Sequence, residues 1–219
     1  MKHIYHNKKH MNKLILLRHG QSQWNLENRF TGWKNVPLTE KGIQEAKNAG
    51  LLIKKNNILI DKVFSSVLER ANKTAEIAIM EAGINSLIDG ENVNYTKNQN
   101  LNERDYGDLV GLNKSETAEK FGKEQVHIWR RSYEVPPPNG ESLKDVVIRV
   151  SPYFENEIEP LIMDNKNILI AAHGNSLRAI LIKVGLYKPE EISSIELPTG
   201  SPLCLEYDNG NLINNFYLD

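Results

Sequence analysis

Apolar and polar positions divide this chain into short, wholly apolar runs separated by stretches of helical spacing. Leu14-Ile15-Leu16-Leu17 is one such run, and it ends abruptly at Arg18-His19-Gly20. An apolar run of this length closed by glycine predicts a strand buried on both faces of a parallel sheet, and strands of that kind present ligands at their carboxyl ends. Arg18 and His19 are thereby expected to open a binding site. A second run, Asn167-Ile168-Leu169-Ile170-Ala171-Ala172, stops in the same manner at His173-Gly174-Asn175-Ser176.

Helical spacing fills the intervals. Ile43, Ala46, Ala49, Leu52 and Ile53 place a helix over Lys41 to Lys55, with Thr39 as its cap. Asp61 to Ser66 reads as a short strand, followed by a helix from about Leu68 to Ala82 that ends at Gly83. Val93 to Lys97 reads as a further strand. Ser142 and Asp145 form the pattern of a capping box at the head of one long amphipathic helix reaching to about Met163, and Ser176 to Val184 reads as a helix after the second His-Gly. Asn209-Gly210 between the apolar runs Leu203 to Asp208 and Leu212 to Leu218 is a hairpin signal.

Strands alternating with helices predict an α/β fold, doubly wound, with a mostly parallel sheet covered by helices on both faces. The longest irregular region, from about Asn98 to Glu141, contains two short helical segments, Asn113 to Phe121 and Gln125 to Tyr133. It is expected to form a loop and helix cap over the carboxyl edge of the sheet. Residues 1–10 read as a flexible N-terminal extension with Met11 as the functional start, and residues 11–219 as a single domain.

Composition narrows the function. A formal net charge of −1 over 219 residues argues against a general nucleic-acid or membrane-surface binder, so any attraction for anions must be local. The only cysteine, Cys204, rules out an intramolecular disulfide and a cysteine-based metal site, and sits in an apolar run as a small core residue. No run approaches the length of a membrane span and the start lacks the apolar core of a secretion signal, so a cytoplasmic location is expected.

The candidate chemistry is phosphoryl transfer. Imidazole is a competent nucleophile near neutral pH and guanidinium grips phosphate oxygens bidentately, so His19 and His173 beside Arg18 form a phosphate site. Arg70, in the first turn of its helix, is a further candidate phosphate ligand.

The segments Leu17-Arg18-His19-Gly20-Gln21-Ser22-Gln23-Trp24-Asn25, Phe30-Thr31-Gly32-Trp33, Leu101-Asn102-Glu103-Arg104, Gly111-Leu112-Asn113-Lys114, Trp129-Arg130-Arg131-Ser132, Gly140-Glu141-Ser142-Leu143-Lys144-Asp145 and Ala172-His173-Gly174-Asn175-Ser176-Leu177-Arg178 resemble the cofactor-dependent phosphoglycerate mutases of the histidine phosphatase superfamily. The resemblance covers nearly all of the chain after Lys13. It implies interconversion of 3-phosphoglycerate and 2-phosphoglycerate through a phosphohistidine enzyme primed by 2,3-bisphosphoglycerate, with no metal. His19 would then be the nucleophile, His173 would stabilise the transferring group with Arg18 and Arg70, and Glu103 would be the general acid and base. Substrate contacts carried over from the family fall on Ser22, Asn25, Thr31, Gly32, Tyr106, Lys114, Arg130, Arg131, Gly174 and Asn175. The partners so implied are small phosphoglycerates, with assembly into a homo-oligomer left open.

The chain departs from the family pattern in four places. Asp105 stands where the family has histidine, next to the expected acid and base, and Asn35 replaces a common aspartate. Pro138 is followed almost at once by Glu141, where larger mutases carry an insertion, and the chain stops at Leu218-Asp219 without their lysine-containing tail. The last two departures would open the site to water and raise hydrolysis of the phosphoenzyme. The competing readings are a histidine phosphatase or bisphosphoglycerate synthase/phosphatase using the same histidines, and a silent phosphate-ester binding module.

Overall fold

A computed structural model describes residues 11–219. The expected extension at residues 1–10 lies outside the described residues. The elements run β1 (Met11–Arg18), α1 (Gln23–Leu26), α2 (Glu40–Lys55), β2 (Lys62–Ser65), α3 (Glu69–Ala82), β3 (Ile88–Asp89), β4 (Asn92–Val93), β5 (Thr96–Lys97), α4 (Lys114–Phe121), α5 (Lys123–Arg131), α6 (Leu143–Tyr153), α7 (Glu159–Met163), β6 (Ile168–Ala172), α8 (Gly174–Lys183), β7 (Pro202–Asp208) and β8 (Asn211–Tyr217).

Six strands form the main sheet in the order β5-β2-β6-β1-β7-β8. The first four are parallel, and the edge is closed by β7, antiparallel to β1, and β8, antiparallel to β7. Side chains alternate across β1, so Leu14 and Leu16 join the core under α6 and α8 while Ile15 and Leu17 join the core under α2 and α3. Both faces are covered. That is why neither β1 nor β6 shows a polar alternation in its sequence, and it is the three-layer α/β architecture expected above. Cys204 is fully buried in the second of these cores.

Several local signals act as their chemistry predicts. Thr39 Oγ1 accepts from Gly42 N at 3.1 Å and caps α2. Ser142 and Asp145 cap α6 reciprocally, Ser142 Oγ accepting from Asp145 N at 3.1 Å and Asp145 Oδ2 accepting from Ser142 N at 2.8 Å. Asn209 and Gly210 both take positive φ, 50° and 77°, and turn β7 into β8.

Three expectations are corrected. Val93 to Lys97 is two strands: Val93 pairs with Ile88 in a small ribbon and drops into the core, whereas Thr96 and Lys97 pair with Phe64 and Ser65 at the sheet edge. The single helix from Ser142 to Met163 is broken by a π-turn over residues 154–158, in which Glu159 N donates to Phe154 O. Pro160 has no N–H to continue the α pattern, and the wider turn absorbs the missing bond. Finally, α8 begins at Gly174 rather than Ser176, because His173 is its N-cap and Ser176 Oγ accepts from His173 N at 3.2 Å.

Among the described residues no helix is long and apolar enough to cross a membrane. Over the carboxyl ends of β1 and β6, the cap is held by a small apolar cluster of its own, Phe30, Leu109 and Val126, with Tyr106, Ala118 and Trp129 packed around it.

One close approach ties a layer to the site. A methyl at Gly42 in α2 would overlap the carbonyl oxygen of Gln21, two residues beyond His19, and a methyl at Gly20 would overlap Gly42 O. Gly42→Ala is therefore expected to lower stability by about 1–3 kcal/mol, the usual range for overpacking, and to lower turnover by shifting the chain after His19. Urea unfolding and a turnover assay check this; an alanine variant as stable and as active as the parent would show that α2 can move aside freely.

Candidate active site

The two histidines meet because of strand register. In the parallel pairing of β1 with β6, Leu17 faces Ala171 and Arg18 faces Ala172, and His19 N donates to Ala172 O at 3.0 Å. The next residues on the two strands are His19 and His173, whose ring centroids lie 5.0 Å apart.

A hydrogen bond assigns the tautomer of His19, and a serine hydroxyl meets His173. His19 Nδ1 lies 2.7 Å from Gly20 O, an acceptor only, so the proton sits on Nδ1. This leaves the Nε2 lone pair free, and Arg70 Nε donates to it at 3.2 Å. Arg70 is itself fixed, donating through Nη1 to Lys34 O at 3.0 Å and through Nη2 to Gly32 O at 2.9 Å, and is 1% exposed. His173 Nε2 lies 2.8 Å from Ser66 Oγ, which already accepts from Leu68 N at 3.1 Å. His173 Nδ1 is buried with no side-chain hydrogen-bond partner among the described residues.

Burial holds the pKa of His19 well below the ordinary histidine value, and the charges of Arg70 and Arg18 push the same way against the Gly20 carbonyl. The pKa of His173 is low for the same reasons, burial first, then Arg70, His19, Arg18 and Arg149. Both rings are neutral at physiological pH. Burial also lowers Arg70, to about 10, with Glu103 opposing and Arg18 assisting, so its guanidinium keeps its charge at neutral pH.

Glu103 stands on the irregular segment after Leu101. Its Oε1 accepts from Arg104 N at 2.7 Å, from Asn175 N at 3.2 Å and from Asn175 Nδ2 at 2.9 Å. Burial pushes this carboxyl up, but those hydrogen bonds and the charges of Arg70 and Arg18 outweigh it and hold the group below the ordinary glutamate range. Tyr106 Oη is near by, accepting from Arg104 Nη2 at 3.2 Å and Asn175 Nδ2 at 3.4 Å.

The cleft has two chambers that share Arg18, Glu103, Tyr106 and Lys114 at their waist. The inner one adds His19, Asn25, Arg29, Phe30, Thr31, Gly32 and Arg70. The outer one adds Arg130, Arg131, Gly174, Asn175, Arg178 and Glu196. Seven cationic side chains thus face two carboxylates, and the site is built for a ligand with several negative charges.

Of the residues expected from the sequence, Ser22 and His173 do not line this cleft. Ser22 is fully buried and caps α1, donating through Oγ to Asn25 Oδ1 at 2.9 Å and so fixing Asn25. Asp105 is turned into a local bend in which Oδ1 accepts from Gly107 N at 2.9 Å, and it does not line the cleft either. Four lining residues carried no expectation, Arg29, Phe30, Arg178 and Glu196, and the buried Arg104 supports the site from behind through Tyr106. Arg178 was within reach of sequence reasoning, since it falls one helical turn after Asn175 and its Nη1 donates to Asn175 Oδ1 at 3.3 Å. Glu196 lies in a segment without a recognisable pattern and pairs with Arg131 and Arg178.

Comparison with known proteins follows this geometry. Residues 14–216 match the histidine phosphatase superfamily, branch 1. A 2,3-bisphosphoglycerate-dependent phosphoglycerate mutase of Parvibaculum lavamentivorans is 48% identical over 198 residues, covering 90% of this chain and 91% of its own length. One from Beijerinckia indica subsp. indica is 52% identical over 190 residues, covering 87% and 89%. Among solved structures, a mycobacterial glucosyl-3-phosphoglycerate phosphatase superposes with a TM-score of 0.76 over 94% of this chain and 97% of its own, at 22% identity, a likeness of fold alone. Bacillus stearothermophilus YhfR gives 0.74 at 26% identity over 92% and 94%. About half of all positions shared with relatives along nearly nine-tenths of both lengths, on top of the superfamily match, make this chain a member of the 2,3-bisphosphoglycerate-dependent phosphoglycerate mutase family within the histidine phosphatase superfamily.

Proposed function

We propose that the chain interconverts 3-phosphoglycerate and 2-phosphoglycerate through a phosphoryl group carried on His19 Nε2. The observation that carries this reading is the position of Glu103 at the waist shared by the His19 chamber and the cationic outer chamber. A phosphatase of broad specificity needs the first chamber only. A mutase must also hold the other end of its substrate and move a proton to and from the hydroxyl oxygens between the two.

The priming cofactor, 2,3-bisphosphoglycerate, supplies the phosphoryl group that first loads His19. The cleft fits a molecule with two phosphates and a carboxylate in charge and in donors, because seven cationic side chains line it against two carboxylates and Arg18 Nε is buried with no acceptor among the described residues. Arg18 and Arg70 hold the phosphoryl oxygens during transfer, Asn25 joins them from α1, and His173 stands beside the His19 ring at 5.0 Å between centroids. Lys114, Arg130 and Arg131 hold the end that is not being transferred.

Each transfer needs one proton movement. With His19 phosphorylated, ionised Glu103 takes the proton of a phosphoglycerate hydroxyl as that oxygen attacks phosphorus, and the bond from phosphorus to Nε2 breaks. The Nε2 lone pair then attacks the phosphorus at the other position while protonated Glu103 returns its proton to the departing oxygen. Protons and phosphoryl groups balance over the cycle, with His19 left phosphorylated. The low pKa of Glu103 in the free protein means that it starts in the basic form this sequence requires. The neutral, Nδ1-protonated ring of His19 is likewise the nucleophilic form, and Gly20 O steadies the charge that the ring gains on phosphorylation. We also infer action in the cytoplasm, supported by the lone buried thiol of Cys204.

Incubation with 3-phosphoglycerate, with and without 2,3-bisphosphoglycerate, should give 2-phosphoglycerate that depends on the primer; dominant release of free phosphate would favour the phosphatase. Under the same conditions His19→Ala should abolish both turnover and acid-labile phosphate on the protein, since no neighbouring side chain can replace the imidazole. Labelled mutant protein would overturn the assignment.

Arg130→Ala and Arg131→Ala separate the two reactions. Each should weaken mutase turnover by more than tenfold beyond any loss in hydrolysis of a simple aryl phosphate, in line with about 2 kcal/mol or more for a charge-assisted contact. Equal losses on both substrates would mean that the outer cations do not select phosphoglycerate.

The buried histidines fix a pH dependence. Their folded-state pKa values lie below 6.5, the unfolded value, so between the two the unfolded chain binds protons that the folded one refuses, and stability falls as pH drops through that window. Nitrogen-detected NMR of the free protein should accordingly show both rings neutral at pH 6, with His19 protonated on Nδ1. A midpoint at or above 6.5 for either ring would refute the assigned protonation.

A further inference from the structure

Arg149 carries no role in the chemistry above, yet it lies behind the acid and base. It projects from α6 with its side chain 15% exposed and is held on one side by Glu141, whose Oε1 accepts from Nε at 2.8 Å and whose Oε2 accepts from Nη2 at 3.0 Å. On its other side the guanidinium faces the loop that carries Glu103. Nη1 donates to Asn100 O at 2.6 Å, and Nη2 donates to Asn102 O at 3.1 Å and to Glu103 O at 3.0 Å. Trp33 completes the arrangement: its indole Nε1 donates to Glu103 O at 2.6 Å, and the Arg149 guanidinium lies 5.7 Å from its ring centre.

We propose that Arg149, held by Glu141 and assisted by Trp33, is the positioning residue that aims the Glu103 carboxyl at the reacting hydroxyl. The inference rests on the acid and base reading of Glu103. Residues 102–106 belong to no helix or strand, so no ladder of backbone bonds fixes them. A planar guanidinium with five donors can take three carbonyls and a carboxylate at once, which lysine cannot. Two donors on Glu103 O set the peptide plane at that residue. That plane decides whether its side chain reaches Arg104 N and Asn175, and hence where Oε1 and Oε2 stand in the cleft. Glu141 serves the same loop twice, since Oε2 also accepts from Asp105 N at 2.9 Å. A displacement of about 1 Å in a catalytic group can cost about a hundredfold in rate.

The consequence is selective. Proton transfer by Glu103 matters when the oxygen that leaves or attacks is an alcohol, and matters little when the leaving group is a nitrophenolate, which departs without a proton. Phosphorylation of His19 by p-nitrophenyl phosphate, read as the pre-steady-state burst of nitrophenolate, therefore reports the phosphate pocket alone. Mutase turnover reports the pocket and Glu103 together.

The experiment measures both rates in Arg149→Lys and Trp33→Phe, with Glu103→Gln as the reference and with melting curves to confirm folding. Arg149→Lys should lower mutase kcat at least tenfold relative to the burst rate, with KM for 3-phosphoglycerate within about threefold of the parent. Trp33→Phe, which deletes one donor and keeps an aromatic ring for the guanidinium, should shift the same ratio in the same direction by less. If Arg149→Lys does not fold, the Trp33→Phe ratio decides. Equal losses in burst and mutase rate, or no loss in either, while Glu103→Gln remains selective for the mutase rate, would overturn the role of Arg149. A Glu103→Gln variant that loses both rates equally would instead overturn the acid and base reading on which it rests.

Discussion

The parallel pairing of β1 with β6 is the constraint on which the site depends. Pairing sets Arg18 opposite Ala172, and the chain geometry leaves no freedom about what comes next: the residue after each strand end is a histidine, and the two rings meet at 5.0 Å. Nothing in either loop could accomplish this alone. A slip of one residue would send Ile15 and Leu17 to the wrong core and turn His19 away from the cleft at the same time. The packing of two apolar cores thus fixes the distance between the two imidazoles.

Electrostatics then sets how the free protein waits. Arg70, Arg18, Lys114, Arg130, Arg131, Arg178 and Arg29 crowd one cleft with only Glu103 and Glu196 as counter-charges among the described residues that line it. The stability cost of this crowding appears in the imidazoles, which remain neutral, and in the buried polar atoms of Arg18 and His173 left without partners. A multiply charged anion in the cleft would relieve this repulsion and offer an acceptor to Arg18, so the charge of the lining favours such ligands. The neutral histidine is also the state a nucleophile requires. The same burial that makes the charge costly therefore prepares the reaction.

Much of this was legible in the chain because it is written in short-range patterns. The runs Leu14–Leu17 and Ile168–Ala172 announce buried strands, Thr39 and Ser142 announce helix starts, and Asn209-Gly210 announces the hairpin, each through a rule that looks no further than a few residues. What stayed hidden depends on contacts between distant segments. Ser22 reads as a substrate contact by family resemblance but is consumed by the cap it makes with Asn25. Arg149 looks like one more helix cation, with nothing in the 46 residues that separate it from Glu103 to join the two. The helix to Met163 fails at Pro160 because periodicity records which side chains are apolar and says nothing about a missing N–H. The strand at Val93 to Lys97 fails because two sheets compete for adjacent residues, a choice decided by tertiary packing.

The cap illustrates how a site can be assembled accurately in a region with only a small core of its own. Its small core of Phe30, Leu109 and Val126 buries little apolar surface compared with the two large cores. By area alone it would be the least stable part of the molecule. Its precision comes from polar anchors that tie it to the rigid layers: Arg149 from α6 to the carbonyls of Asn100, Asn102 and Glu103, and Asn175 from the head of α8 to the Glu103 carboxylate. A region fastened at such points can breathe around its cations as substrates turn over, while the one carboxyl that must not move is referred to the two helices that pack on the β1–β6 pair. The histidines and Glu103 thus share a single frame of reference, the sheet, even though they come from three separate parts of the chain.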